Sequence, residues 1–589
     1  MTAGLEAPAS ARAAAASPGA PLRDESFLPE STGWSSPREE CAPKMAALAA
    51  LFELAPPEPV GKVAYHSRGN LLIVAGEQAE RAHAVAAMLS RDLHVTILDG
   101  SPRSKPEGYT TWVGTPRSLE GYLGEFTVVL GGLGTSATGR SGEAVPAKFD
   151  LVLDFGAAPL FPMRQPPQGY FRAPAADAAL NDVMAELREA VGEFEKPRYF
   201  HYRENLCAHS RSQVTGCSAC INICSTQAIA PDGDHVKVDP HLCMGCGACS
   251  TVCPSGAMGY QYPRAGDRGA QVKQVLGAYR AAGGSDACVV FHNGTDAREL
   301  LAASAAQGPG LPARALPLEA WHVAAVGLDV MLPAIAFGAS QVVVLCTGGE
   351  DELYVAALEG QMHLGQEIVS ALGYAGRHFS VIRATDPDSL HAAFAALEPA
   401  ASVPAPATFL PGNDKRTNIE FAVEHLARHA ARKVDEIPLP SHAPFGEVRV
   451  DKAKCTMCLA CVGACPESAL MDGVDVPLIK FVERNCVQCG LCEATCPEGA
   501  ISLSQRLLLT PAVREARVLN ETQPFHCVSC SKPFGTRQMV EAMMGRLAGH
   551  SMFAGGPALK RLQMCADCRV VDMMKSRDEV SVLNLGSDA

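Results

Sequence analysis

Cys243, Cys246, Cys249 and Cys253, followed by Pro254, form the run C-x2-C-x2-C-x3-C-P in "CMGCGACSTVCP". Cys455, Cys458, Cys461 and Cys465 with Pro466 repeat it, as do Cys486, Cys489, Cys492 and Cys496 with Pro497. Three thiolates packed into one turn can wrap three corners of an iron–sulfur cube, while the fourth cysteine points away to a neighbouring cube. A structural zinc ion usually takes two separated C-x2-C pairs, so the tight triple followed by Cys-Pro does not suit it. A disulfide scaffold would be short and uniformly cysteine-dense. Here 20 of the 23 cysteines lie in compact groups between long cysteine-poor stretches, the distribution of metal sites.

A degenerate copy precedes the first run. Cys217, Cys220 and Cys224 are spaced x2 and x3, Ser225 replaces the proline, and nine residues separate Cys207 from Cys217. "CAHSRSQVTGCSACINICS" thus reads as the same motif with a lengthened first loop. After it, "STQAIAPDGDHVKVDP" supplies a strand, an Asp-Gly turn and a strand.

Each block of 50–60 residues resembles the bacterial-type two-cluster [4Fe–4S] ferredoxins. In that family each motif gives three ligands to one cluster and its last cysteine to the other. The resemblance implies four [4Fe–4S] clusters in this chain. Cluster 1 would be held by Cys207, Cys217, Cys220 and Cys253, and cluster 2 by Cys243, Cys246, Cys249 and Cys224. Cluster 3 would be held by Cys455, Cys458, Cys461 and Cys496, and cluster 4 by Cys486, Cys489, Cys492 and Cys465. Ala469-Leu470 and Ala500-Ile501 stand where the ferredoxin fold begins a strand, and "LMDGVDVPLIKF" reads as its hairpin.

Near the C-terminus, Cys527, Cys530, Cys565 and Cys568 form two C-x2-C knuckles 34 residues apart. The ligand types fit structural zinc, with a fifth iron–sulfur cluster or rubredoxin-like iron as alternatives. "TRQMVEAMMGRLAG" between them reads as one helix that lets the knuckles meet, and His526 as a bystander. Cys288 and Cys346 sit on expected buried strands, where cysteine acts as a small hydrophobe. "FGASQVVVLCTGG" resembles a segment of the delta (iron–sulfur) subunits of methyl-viologen-reducing hydrogenases, which link a hydrogenase to heterodisulfide reductase. Without a third and fourth cysteine, this domain would keep only the docking role. Cys41 carries no assignment.

Elements of two kinds must position these thiols. "NLLIVAG", "HVTILDG", "EFTVVLGG" and "KFDLVLDFG", with the helical "EQAERAHAVAAMLS", predict a small α/β layer over 59–165. A connecting helix is expected over 177–195, within 166–199, leading into the first ferredoxin block at 200–262. "ACVVFHN", "QVVVLCTGG" and "HFSVIRA" predict a second α/β domain over 272–395. A linker over 396–445, the second ferredoxin block at 446–505, a four-cysteine domain at 506–575 and a tail at 576–589 complete the chain. Residues 1–58 read as a disordered lead-in rich in Ala, Pro and Ser. The fold class is therefore multidomain α/β plus α+β. Two small α/β domains alternate with two ferredoxin-like domains, before a zinc-ribbon-like cysteine site. The alternation suggests an internal duplication.

The 589 residues carry a formal net charge of -13, which argues against nucleic acid as a general partner. "VMLPAIAFGASQVVVLC" contains Pro333, Ser340 and Gln341 and falls short of the roughly 20 apolar residues of a membrane span. No membrane insertion is expected, nor is a signal peptide, so the expected location is the cytoplasm. The functional expectation is an electron-transfer polyferredoxin serving a cytoplasmic oxidoreductase. The resemblance suggests formate dehydrogenase or a hydrogenase/heterodisulfide reductase-type complex. The alternative is an oxidoreductase subunit binding flavin or a nicotinamide nucleotide in an α/β domain. No G-x-G-x-x-G supports that: Gly76-Glu77-Gln78-Ala79 departs from it, and "GGLGTSATG" (131–139) follows a later strand. Radical-SAM, G-x-S-x-G, H-E-x-x-H and P-loop motifs are absent.

Overall fold

A computed structural model describes residues 38–101, 108–131, 146–308, 310–473, 476–551, 553 and 557–575. Among the described residues no helix is long and apolar enough to cross a membrane. The glycine-rich "GGLGTSATG" lies, beyond Gly131, outside them.

The N-terminal sheet has five parallel strands in the order Thr110–Val113, His94–Asp99, Asn70–Val74, Leu151–Asp154, Tyr170–Arg172. Alternate residues of its central strand serve two cores. Leu71 and Ile73 pack under the helices Ala79–Leu89 and Asp177–Glu189, while Leu72 and Val74 face Phe126, Val128 and Leu130. Those last residues belong to "EFTVVLGG", which does not join the parallel layer as expected. It forms a separate antiparallel sheet of Thr115–Glu120, Phe126–Gly131 and Pro146–Phe149. The five residues between its first two strands are too few for a crossover, so only a hairpin can form. The expected 177–195 helix stops at Glu189. Gly192 takes a left-handed φ of 132°, and Gly192–Pro197 then pairs antiparallel with Lys62–Ser67.

The central sheet has four parallel strands in the order Ala315–Ala320, Cys288–Asn293, Gln341–Cys346, Phe379–Arg383. Helices cover both faces, so Gln341–Cys346 is buried at every position, as an all-parallel sheet requires. "VMLPAIAFGASQVVVLC" is a buried helix, Leu328–Ala336, followed by that strand. Two expectations fail here. The lead-in is helical over Arg38–Leu51: Ala47 and Leu48 are buried, and the Lys44 ammonium donates to the Leu311 and Pro312 carbonyls at 3.2 and 2.8 Å. Its small residues, low in hydropathy, allow close approach to the helix Ala265–Ala281. Likewise the linker contains the helix Lys415–His429, whose Ile419, Ala422, Val423 and Leu426 join the same core.

The cysteine blocks lie between and beyond these sheets. The first pairs Phe200–Tyr202 with Met258–Tyr260 and carries the hairpin Ile229–Asp232/His235–Val238. The second pairs Gly446–Val450 with Ile501–Leu508 and carries Leu470–Asp472/Leu478–Phe481. Arg517–Glu521 adds a third strand to that hairpin, so the sheet runs past 505 into the region expected to form the four-cysteine domain.

Candidate metal centres

The thiol loops are shaped by left-handed backbone on either side of the middle cysteine. Gly245 and Gly247 have φ of 78° and 77°, Met457 and Leu459 55° and 62°, Gln488 and Gly490 52° and 82°. Such backbone costs a non-glycine residue about 1–2 kcal/mol, strain that gathers at functional sites. It turns donors toward sulfur: the Met457 N–H reaches Cys455 Sγ at 3.4 Å, and Gln488 Nε2 donates to Cys486 Sγ at 3.2 Å. The lengthened loop after Cys207 is a hairpin, Ser210–Arg211 on Val214–Thr215, turning through Ser212 and Gln213 at φ 51° and 69°. Gly216 and Cys217 then bond back to His209 and Ala208, which brings Cys207 and Cys217 together despite the insertion.

Within each block the thiols stand close enough to act on one another. Burial pushes Cys220 up to about 12, with Cys253, Cys217 and Cys207 adding to the rise; burial, Cys253 and Cys207 also raise Cys217. Cys243, Cys246 and Cys249 are raised by burial and by Cys224, with Cys246 at about 11. Burial, Cys455, Cys458 and Cys496 push Cys461 up to about 12. Cys486, Cys489 and Cys492 are raised by burial and share Cys465 as a neighbour. In each case the neighbours of a close run of thiols include the last cysteine of its partner motif. Thiols gathered beside one another in this way are a donor set for a cationic core, which offsets the repulsion between their thiolates. Cys224, Cys243, Cys246 and Cys249 line one cavity, walled by Ile223, Ala228, Ile229 and Val238, a dry cradle of the kind an iron–sulfur cube takes.

Residues 215–257 and residues 454–501 each match a family described as the 4Fe-4S dicluster domain. The chain carries two ferredoxin-type iron–sulfur domains. The first match begins after Cys207, whose place beside Cys217 comes from the hairpin. The chain is 46% identical over 50 residues to the indolepyruvate oxidoreductase subunit IorA of Pyrococcus horikoshii, 8% of each chain. It is 42% identical over 60 residues to the corresponding subunit of Thermococcus kodakarensis, 10% of this chain and 8% of that one. A 7Fe ferredoxin of Hydrogenibacillus schlegelii is 37% identical over 41 residues, 7% of this chain and 53% of the ferredoxin. The chain thus spans under a tenth of the oxidoreductase subunits it matches.

Around these ferredoxin-type domains stand residues that motif reading could not find. The Lys196 ammonium donates to the His241 and Cys243 carbonyls at 2.7 and 2.8 Å, and burial lowers it to about 8. Tyr354, from the central α/β domain, is 1% exposed and bonds both Ser225 and the Cys246 thiol. Both lie far in sequence from the thiols they serve.

The tail site differs in scale. The ligand atoms of Cys527, Cys530, Cys565 and Cys568 lie within 4.8 Å of one another, and among the described residues this is the one metal-type group so tight. Zn–S bonds of about 2.3 Å place tetrahedral sulfurs about 3.8 Å apart. Cys530 Sγ and Cys565 Sγ are 3.7 Å apart, so the group fits one four-coordinate ion. The Ser529 N–H turns onto Cys527 Sγ at 3.4 Å. The intervening helix, Arg537–Leu547, forms as expected, and His526 is exposed outside the group. The Thr536 hydroxyl donates to the Thr456 carbonyl at 3.2 Å, seating the module beside the Cys455 loop.

Cys288 and Cys346 are buried but belong to cores on opposite faces of the central sheet, so they cannot share a metal. Cys41 is buried in the N-terminal helix. In the N-terminal sheet, a Cβ at Gly76 would come within 2.7 Å of Gly156 Cα. The turn after the strand Asn70–Val74 therefore passes close against the backbone after Leu151–Asp154.

Proposed function

We propose that the protein is an electron-transfer protein holding four [4Fe–4S] clusters. The ligands are Cys207, Cys217, Cys220 and Cys253; Cys224, Cys243, Cys246 and Cys249; Cys455, Cys458, Cys461 and Cys496; and Cys465, Cys486, Cys489 and Cys492. The observation that carries this reading is the match of both cysteine blocks to dicluster-type domains, within which each close run of thiols stands beside the last thiol of its partner run. When bound, such clusters supply one-electron transfer at potentials set by charge, hydrogen bonds and exposure. The protein's part is to hold them close, keep water out and tune them, which Lys196, Gln488 and Tyr354 are placed to do. Cys527, Cys530, Cys565 and Cys568 hold zinc, which staples the tail.

The partner is an oxidoreductase that draws on or fills these clusters. The matching segments in indolepyruvate oxidoreductase subunits support this class, because there the same ferredoxin-type stretch is part of an oxidoreductase. The resemblance of the central domain to hydrogenase delta subunits points to formate dehydrogenase or a hydrogenase/heterodisulfide reductase-type complex, met in the cytoplasm.

Metal and sulfide analysis of anaerobically purified protein tests the reading, with EPR of the dithionite-reduced sample. About 16 irons and one zinc per chain, with coupled S = 1/2 signals, are expected. Fewer than about 12 irons, or no reversible reduction, would reject it.

A further inference from the structure

The two ferredoxin-type domains touch through one small apolar contact. Ala208 of the first lies against Ala464 and Leu491 of the second, with Cys217 and Cys489 packed at its edge. Gly216 lets them close: a Cβ there would come to 2.6 Å from Leu491 Cγ and 2.8 Å from the Ala208 carbonyl oxygen. The Cys217 set and the Cys489 set therefore adjoin across the domain boundary, and Cys217 is among the neighbours that raise the Cys489 thiol. Within the first domain Cys220 is a neighbour of Cys249, and within the second Cys461 of Cys492.

One helix from the region read as a linker clamps this junction. The Lys415 ammonium donates to the carbonyls of Ser250, Thr251 and Cys253 at 2.9, 2.5 and 3.0 Å. Arg416 reaches both domains at once. Its guanidinium donates to Pro254 O at 3.4 Å on one side, and to Arg484 O and Cys486 O at 3.0 and 3.1 Å on the other. It also donates to Pro444 O at 3.0 Å and lies 4.9 Å from the Phe445 ring centroid.

We propose that the four thiol sets form a single row, with Lys415 and Arg416 as the positioning residues that hold its middle together. The order is Cys224/Cys243/Cys246/Cys249, Cys207/Cys217/Cys220/Cys253, Cys465/Cys486/Cys489/Cys492, Cys455/Cys458/Cys461/Cys496. The proposal rests on the reading that each set binds a [4Fe–4S] cluster. The ends of the row are unlike. The first set is covered by Tyr354, Tyr260 and Tyr199, whereas Cys458 in the last is exposed. The Arg416 charge beside Cys486 favours the more negative, reduced state of that set.

EPR-monitored redox titration of the cluster-loaded full chain tests this. In the wild type the fully reduced spectrum shows magnetic interaction beyond that of two independent pairs. Gly216→Val forces the contact apart, and its spectrum becomes that of two uncoupled pairs with iron and sulfide unchanged. Arg416→Gln lowers the reduced-to-oxidised ratio of one cluster at fixed potential by three- to tenfold, and Arg416→Lys restores most of it. A tenfold change is a 59 mV fall. A G216V spectrum matching the wild type at full iron content, or an R416Q protein with no cluster shifted, overturns the row. If G216V loses iron, the R416Q and R416K titrations decide. Failure of the underlying cluster reading is distinguishable, because it shows as missing iron or irreversible reduction in the wild type.

Discussion

Replacing Tyr354 by phenylalanine removes a single oxygen from a site 129 positions along the chain from Ser225, its nearest polar partner. The ring can stay: it meets His322 edge-on at 5.4 Å and packs in a core with Ile223, Ala248 and Ala324. Ser225 keeps a partner: with the Tyr354 hydroxyl gone, its own hydroxyl turns to donate to Gln165 Oε1 at 2.9 Å. What is lost is the O–H donor to Cys246, whose thiol burial pushes up to about 11 against the pull of that bond. A hydrogen bond is worth about 0.5–1.5 kcal/mol net, and one to sulfur strengthens as the sulfur gains electron density. If the whole increment acts on the reduced state, one potential falls by about 20–60 mV for a one-electron couple, at 59 mV per tenfold change. Global stability falls by about 1 kcal/mol, and iron content is unchanged. EPR-monitored potentiometry with thermal unfolding reads both quantities. An unchanged or raised potential at full iron loading would refute the assignment of Tyr354 as a donor to that cluster.

Cys207→Ser removes one ligand from the set reached by the hairpin loop. The iron content falls by about one to four atoms while the other three sets stay loaded, as metal analysis will show. Cys565→Ser abolishes zinc binding with iron unchanged, and exposes the tail to limited proteolysis. Ala47→Leu overpacks a position that is 0% exposed, costs about 1–3 kcal/mol, and releases the Arg38–Leu51 helix to protease. Burial lowers Lys44 from 10.5 to about 7, so the folded protein binds fewer protons there than the unfolded chain between those values. Docking of that helix therefore strengthens as pH rises from about 7 to about 9. Proteolysis at the helix should slow accordingly in wild type, and the pH trend should vanish in Lys44→Met.

Cysteine spacing made the ferredoxin-type domains legible without any structure, because a metal cube fixes its ligands at short chain separations and tolerates little variation. The same holds for the tail knuckles, and for the strands Cys288–Asn293 and Gln341–Cys346, whose unbroken apolar runs suit only a strand buried on both faces. Composition misled where small residues do the packing. Arg38–Leu51 reads as a continuation of an Ala/Pro-rich lead-in, and its burial depends on a neighbour more than 200 residues away. "EFTVVLGG" has the right residues for a strand, but its sheet was decided by the length of the connection before it.

The chain by itself determined that two ferredoxin-type domains are present, since the local spacing of the thiols sets that chemistry. Only the tertiary structure decided what those thiols stand next to. Tyr354 on Cys246, Lys415 and Arg416 on the carbonyls around Cys253 and Cys486, and Gly216 against Leu491 are all contacts between segments far apart in sequence. No spacing rule governs them. They follow from how two sheets, a misread linker helix and two ferredoxin-type domains share their cores, and hydrogen bonds and charge act through space, not along the chain.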